Sequence, residues 1–403
     1  MASDPGWPAL EWEELAWQPS IPPDLVSRRV RERHAGPYAA ALVPAIAKRD
    51  VSLPTPVVAL ADTASVEIAR FDAELGAEVA PFGALLLRSE SASSSQIENL
   101  TSGARAIALA ELAHGDRSNA GQIVANIRAM QSAIALADRL DEDAILAMHA
   151  ALMAHDRQHE PGRWRREPVW IGGTSFGPHL ADFVPPHHRH VPAAMADLIA
   201  FAGRNDLPAL IQAAVAHAQF ETIHPFTDGN GRTGRALMHA MLRGKDLTRN
   251  VTVPVSAGLL TDIPAYFAAL TRYREGDVAE IVRLVSEASF AAITNGRQLV
   301  ADLHEIRDRW AEAIQARRDA LVWRLAELLL RQPVIDAATA QRELAAASAN
   351  THRAIRQLTD AGVVRELSGR QRARLWQATE VLTALDDFAA RAGRRTVPRS
   401  RRR

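Results

Sequence analysis

The chain has 403 residues, 47% of them apolar and 23% charged, enough for more than one hydrophobic core. Lysine plus arginine (47) balances aspartate plus glutamate (47), so bulk charge points to neither nucleic acid nor membrane; the lack of cysteine excludes disulfides, thiolate zinc sites and cysteine nucleophiles. The opening MASDPGWPALEWEELAWQ lacks the basic and apolar regions of a signal peptide. No run approaches ~18 consecutive apolar residues, so a cytoplasmic protein without membrane spans is expected.

In chain order, a Pro/Trp-rich opening gives way to ASVEIARFDAEL, ARAIALAELAH, QIVANIRAMQSAIALADRL and DEDAILAMHAALMAH. Each carries apolar residues at helical spacing, with Asp141 or Asp143 capping the last. His149 and His155, on or near that last helix, read as packed or exposed rather than catalytic. Between Gly162 and Pro192 the punctuation is dense, and VWIGG and ADFVPP read as a hairpin with a long tip, the one short β element expected before the C-terminal region. His187, His188 and His190 in PPHHRH lack metal-ligand spacing and read as a solvated loop. The helix DLPALIQAAVAHAQFETIHPF follows, with Asp206 as its N-cap and Pro208 in its first turn. Tyr266, Phe267 and Tyr273 share a helix face that predicts core packing. From Glu280 to Gln332 the pattern is long-helical. Beyond Pro333, helix, turn, helix and two short strands give the layout of a winged helix-turn-helix, with Arg353 and Arg356 on its second helix suited to DNA phosphates. The end, RAGRRTVPRSRRR, reads as a basic disordered tail.

The fold class is therefore mainly α: a helical bundle with a short β-hairpin and a C-terminal winged helix-turn-helix. The division expected is an N-terminal extension over 1–100, the main helical domain over 101–300, a connecting helix over 301–332, the winged helix over 333–390 and the tail over 391–403.

The stretch HPFTDGNGRTGR contains a literal GxGxxG from Gly229 to Gly234. A dinucleotide fold would place it after a buried strand, but a helix precedes it here. Arg235-Ala236 replaces the Lys-Ser/Thr of a P-loop. The loop thus joins helix to helix, and its chemistry is anion binding. Gly229 and Gly231 allow close backbone approach, and the helix they open offers free N–H donors. Arg232 and Arg235, three apart, share one face. Asp228 suits Mg²⁺ bridging phosphates, and His224, held at a helix end by Pro225, is the proton acceptor nearby.

These residues resemble the signature of the Fic domain family, HPFx(D/E)GNGRxxR, at every defined position. The resemblance implies a protein adenylyltransferase that moves AMP from ATP to a hydroxyl side chain of a target protein, with Mg (or Mn) as cofactor. It implies His224 as general base and Phe226 as the plug of the loop beside Pro225. Asp228 would hold the metal, and Gly229, Asn230, Gly231 and Gly234 form the phosphate cradle. Arg232 would support the phosphates and Arg235 hold the γ-phosphate. Gly231 stands where a phosphotransferring relative has lysine. The hairpin resembles the family's flap, which would pin a target segment through Ile171, Gly172, Gly173, Phe183 and Val184. SSSQIEN resembles the inhibitory motif, read as Ser94, Glu98 and Asn99, with Glu98 pairing with Arg235. A competing reading of Ser95-x-x-Glu98 is a helix-capping box. Self-modification, AMP removal by the same site and a homodimer are also compatible with the resemblance. A different class of reading is a nucleotide-sensing regulator that binds DNA through the winged helix.

Overall fold

The computed structural model describes residues 6–17, 27–76, 79–112, 118–154, 156, 159–367 and 374–393. In chain order its elements are β1 (Glu11–Leu15), α1 (Arg28–Arg33), β2 (Tyr38–Leu42), α2 (Thr55–Gly76), α3 (Val79–Ile97), α4 (Ala104–Leu112), α5 (Asn119–Ala135) and α6 (Glu142–Met153). Then come α7 (Val191–Ala202), α8 (Ala209–Ile223), α9 (Asn230–Gly244), α10 (Val255–Leu259), α11 (Ile263–Arg274), α12 (Ala279–Ala313) and α13 (Leu321–Arg331). The C-terminal part runs β3 (Val334–Asp336), α14 (Ala337–Leu344), α15 (Ser348–Asp360), β4 (Arg365–Glu366), β5 (Leu375–Gln377) and α16 (Thr379–Arg391). No described helix is long and apolar enough to cross a membrane.

The fold is mainly helical and divides into two interleaved units. One comprises Met1–Thr63, Gln131–Lys245 and Pro264–Ser286; the other Ala64–Met130, Asp246–Ile263 and Glu287–Arg403. The linear division read from the sequence cuts across both, and residue 301 falls inside the continuous helix α12.

The first unit is built around α8, whose side chains from Leu210 to Ile223 are all buried. Its composition has no polar stripe because neighbours cover every face. Gly234 lets α9 approach closely: a Cβ there would lie 2.9 Å from Phe220 Cδ1. The N-terminal segment is stitched to the bundle by Gln219, which donates to Pro44 O (3.0 Å) and accepts from Tyr273 Oη (2.7 Å). Asp197 on α7 likewise accepts from the backbone N–H of Ile46 (2.6 Å) and Ala47 (3.2 Å).

Strands β1 and β2 form an antiparallel ribbon with Glu11 opposite Leu42 and Leu15 opposite Tyr38. The sequence reading missed this pair. Its signal was the short alternation in EWEEL, hidden among acidic residues of poor strand propensity. The hairpin expected over VWIGG and ADFVPP is present only as two isolated antiparallel bridges, Ile171 to Phe183 and Thr174 to Gly177.

Of the local expectations, the cap of α6 holds, while Asp206 and Phe267 are corrected. Asp141 caps α6, accepting from Ala144 N at 2.9 Å. Asp206 caps nothing: the N-cap of α8 is Pro208, and the Asp206 carboxylate is held by Arg204. Tyr266 and Tyr273 are buried as expected, whereas Phe267 is 51% exposed because it points off that face.

In the second unit α3 is the spine. Asp72 on α2 closes the loop 249–251 by accepting from the backbone N–H of Arg249, Asn250 and Val251 at 2.8 to 3.0 Å. Buried Glu90 accepts from both Ser256 N and Oγ. The SSSQIEN segment is the C-terminal end of α3, where Asn99 adopts a left-handed φ of 62° and Leu100 N donates back to Ser95 O (3.0 Å). A capping box belongs at a helix N-terminus, so that reading of Ser95 and Glu98 is overturned. At the C-terminal end, Asp336 caps α14, the left-handed Ala345 (φ 48°) turns the chain, and α15 buries Ala354, Ile355 and Leu358. The sheet order is β3-β5-β4, so β4 and β5 form the hairpin expected after the second helix. The tip of that hairpin, the basic tail from residue 394 and His155 lie outside the described residues.

Candidate active site

Helix α8 ends at Ile223 because Pro225 disfavours helical geometry in the residue before it. His224 instead takes φ 50° and ψ 62°, a left-handed conformation costly for a side chain with a Cβ. Arg165 holds it there. Its Nε donates to His224 O (2.8 Å), its backbone N–H to Pro225 O (2.9 Å), and its guanidinium also reaches the carbonyls of Glu167 and Pro186. Nothing in the sequence pattern singled out Arg165. Its signal lies in the sharp turn after α8, which exposes several carbonyls that one buried guanidinium can collect.

Past Pro225, Phe226 sinks into the core. It stacks on His149 with 3.6 Å between centroids and packs against Trp164 at 5.1 Å. His149 accepts from Gly162 N through Nδ1 (2.9 Å), so Nε2 carries the proton and donates to Asp228 O (3.1 Å). It is packed, as expected, and it positions the loop. The Asn230 side chain brackets the turn, accepting from Phe226 N (2.8 Å) and donating to Phe226 O (2.9 Å). Both ends of that amide are engaged by the turn, so the Asn230 side chain shapes the loop.

Gly229 sits at φ 76° as the N-cap of α9. A Cβ there would come within 2.9 Å of Leu152, so position and packing both require glycine. Helix α9 then presents its free N–H groups, its positive dipole end and the buried side chains of Arg232 and Arg235. Arg235 is 0% exposed, the largest fully buried side chain described. Arg232 Nη2 lies 3.3 Å from Asp228 Oδ2.

The His224 ring is 20% exposed, and its Nδ1 lies 4.0 Å from Glu221 Oε2. Burial and the guanidinium groups of Arg165 and Arg274 push its pKa down to about 3. The imidazole is neutral at pH 7, the proton-accepting form. Asp228, with a side chain 48% exposed, is joined by two residues that the sequence reading did not place there. Asp156, His159 and Asp228 each offer one ligand atom, all within 4.8 Å of one another. This mixed oxygen and nitrogen donor set fits a divalent cation.

The flap residues divide into two groups. Phe183 and Val184 are buried. Phe183 lies between Trp12, edge-on at 6.2 Å, and the Arg274 guanidinium, 3.7 Å above its ring. Val184 O accepts from Ala41 N (3.0 Å), so strand β2 covers that edge. Ile171 is half-buried, while Gly172 and Gly173 are exposed with φ of 75° and 72°. Trp17 packs at right angles against both Tyr38 and Trp170, sealing the ribbon onto the flap base.

Ser94 is fully buried and Glu98 exposed at the end of α3. His187 and His188 are partly buried in a short 3-10 turn, and His190 is paired with Glu13 at 3.0 Å. The only His/Asp/Glu metal cluster among the described residues is the one at Asp228.

The site is a helix-loop-helix corner with a strained histidine at its mouth, and over the same stretch the chain is similar to known proteins. Residues 139–242 match the Fic/DOC family. Protein adenylyltransferase fic-1 of Caenorhabditis elegans is 29% identical over 159 residues, 39% of this chain and 28% of the relative. Protein adenylyltransferase fic-1 of Caenorhabditis briggsae is 30% identical over 154 residues, 38% and 27% of the two chains. The chain thus spans under a third of the length of these curated relatives. The crystal structure of a Fic family protein from Desulfovibrio desulfuricans G20 aligns with a TM-score of 0.52 at 20% identity, covering 81% of this chain and 97% of that one, a likeness of fold.

Proposed function

We propose that this protein transfers AMP from ATP to a hydroxyl side chain of a target protein. The observation that carries the reading is a neutral His224, pinned in a left-handed turn one loop ahead of the anion-binding start of α9. The target oxygen attacks the α-phosphorus, the P–O bond to the β-phosphate breaks, pyrophosphate leaves, and the hydroxyl proton goes to His224. Backbone N–H groups from Gly229 to Arg232 receive the phosphates, Arg232 supports them and Arg235 anchors the γ-phosphate. Asp228, with Asp156 and His159, would hold a divalent metal ion (magnesium or manganese), whose charge would offset that of the phosphates. A polyanion beside Arg165 and Arg274 offsets the cationic charge that depresses His224, so the base strengthens when nucleotide is present.

A target segment adds to the flap at the Ile171, Gly172 and Gly173 edge, because β2 already takes the Val184 side. Glu98 acts as the inhibitor by offering Arg235 a bidentate carboxylate in place of the γ-phosphate, supported by Ser94 and Asn99. Removal of AMP would use the same base and loop. A cytoplasmic homodimer belongs to the same reading; a monomer mass in light scattering opposes it.

Incubation with α-labelled ATP and magnesium tests the proposal, with label sought on the protein itself and on lysate proteins. Label on a protein is expected from the Glu98→Gly chain. No transfer by that chain defeats it. The double variant Glu98→Gly with Arg235→Ala should be inactive; activity equal to Glu98→Gly alone would show that the pairing is not the lock.

A second reading rests on α15. His352, Arg353 and Arg356 are exposed on the second helix of a helix-turn-helix followed by the β4-β5 hairpin, a winged-helix layout suited to DNA. Salt-dependent retardation of DNA from upstream of its own gene, lost on deleting residues 333–403, is the result this reading requires.

A further inference from the structure

Within the first unit, two arginines join the flap segment 183–186 to the last turn of α8. Arg165 spans Pro186 and the helix end: its guanidinium reaches Pro186 O, while its Nε donates to His224 O at 2.8 Å. Arg274 on α11 makes a parallel tie, three residues earlier on both sides. Its guanidinium carbon stands 3.7 Å above the Phe183 ring centroid, and its Nη2 donates to Glu221 O at 3.5 Å. Arg274 Nε is buried and finds no hydrogen-bond partner among the described residues. A buried cation short of hydrogen bonds is drawn to the electron-rich face of a ring. Burial lowers the Arg274 pKa to about 10, so the group is still charged at pH 7. The charge also acts on the base, as one of the two cations that hold His224 neutral. Phe183 in turn carries the flap edge: Ile171 N donates to Phe183 O at 2.9 Å, and Phe183 N to Ile171 O at 3.2 Å.

We propose that Arg274 is a positioning residue for the protein target: together with Arg165 it fixes the flap edge at Ile171 relative to His224. The inference rests on the transfer reading above. One tie alone would let the segment 183–186 pivot about Pro186. A second tie at Phe183 fixes its direction, and the antiparallel bridge passes that on to Ile171. A hydroxyl docked on that edge then meets His224 in one geometry, where a misplacement of ~1 Å can cost about a hundredfold in rate. Lysine at position 274 would keep the charge but has no planar group to lie on the ring.

The test pairs Arg274→Lys with Phe183→Leu in the full chain, because both keep every charge and each removes the stack from one side. Amide exchange at Ile171, whose N–H donates to Phe183 O, should quicken about tenfold in either variant. The double variant should exchange no faster than the single ones, since one contact can be lost only once. If one variant does not fold, the other carries the comparison with the unaltered chain. Labelling of lysate proteins from α-labelled ATP by the Glu98→Gly chain should slow about tenfold in either variant, with the KM for ATP unchanged. Exchange needs no AMP transfer: if the Glu98→Gly chain labels nothing, the transfer reading fails and exchange alone judges the clamp. Unchanged exchange at Ile171, or a fully additive double variant, overturns the clamp. A KM for ATP that rises in step with the loss of rate overturns the positioning role.

Discussion

Phe226 and His149 lie ring over ring, with centroids 3.6 Å apart and planes 3° from parallel. The histidine is also spanned by two hydrogen bonds, one from Gly162 N and one to Asp228 O. One ring therefore fixes the depth of the loop, through the stack, and the direction of the Asp228 backbone, through its N–H.

Phe226→Ala should cost about 3–5 kcal/mol, since a fully buried ring is removed from a packed site. His149→Phe keeps the stack but leaves Gly162 N and Asp228 O without partners, at about 1–3 kcal/mol. Urea denaturation of the two variants checks the order. A loss for His149→Phe as large as that for Phe226→Ala would mean that the hydrogen bonds, rather than the stack, seat the loop.

Arg165→Lys should lower the rate of transfer at least tenfold while leaving nucleotide affinity nearly unchanged. A lysine cannot reach several carbonyls with a planar fork, so His224 loses its left-handed clamp. Nucleotide binding measured calorimetrically beside the rate separates the two effects. Affinity falling in step with rate would contradict the positioning role.

Acid should destabilise the protein from about pH 6.5 downwards. Burial and nearby cations lower the pKa of His149 to about 4, and those of His217 and His224 to about 3. The unfolded chain binds protons at these residues below the ordinary value of 6.5, while the folded chain does not until about pH 4 or 3. Between those limits unfolding takes up protons, so stability rises with pH and falls as pH drops. Each group contributes up to roughly 1.4 kcal/mol per pH unit in that window. Unfolding free energies at pH 7, 6 and 5 should decline with an increasing slope; a flat profile would contradict the buried neutral state.

Gly173→Ala should impair modification of a target far more than nucleotide binding. Its φ is 72°, and a Cβ would lie 2.5 Å from Leu180 O, a backbone atom that cannot swing aside. The flap must shift, while the loop after α8 is untouched. A raised KM for protein target with unchanged ATP affinity is the expected split. Unchanged KM for the target would show that this edge is not where it docks.

Much of the α8-loop-α9 corner was legible in the sequence. Pro225 marks the helix end, the glycines mark the left-handed N-cap, and the spacing of Arg232 and Arg235 puts both on one face. Arg165 and Asp156 were not legible, because their roles depend on contacts between segments tens of residues apart along the chain. The β1-β2 ribbon escaped because EWEEL and YAAAL carry weak strand propensity. Pairing with each other and with Val184 makes them strands. Asp206 looked like a cap by position, yet the nearby Arg204 claims it. SSSQIEN reads as a helix start from its Ser-x-x-Glu spacing, and only the left-handed Asn99 reveals a helix end.

The central claim is that His224 takes the proton of a hydroxyl attacking the α-phosphorus of ATP. Intact-mass spectrometry of the Glu98→Gly chain, incubated with ATP and magnesium, tests it most directly against the same chain carrying His224→Ala. The account predicts a mass increment of one AMP on the Glu98→Gly chain or on an added target, and none when His224 is replaced, with both variants equally folded. Equal AMP incorporation by the two chains would contradict it.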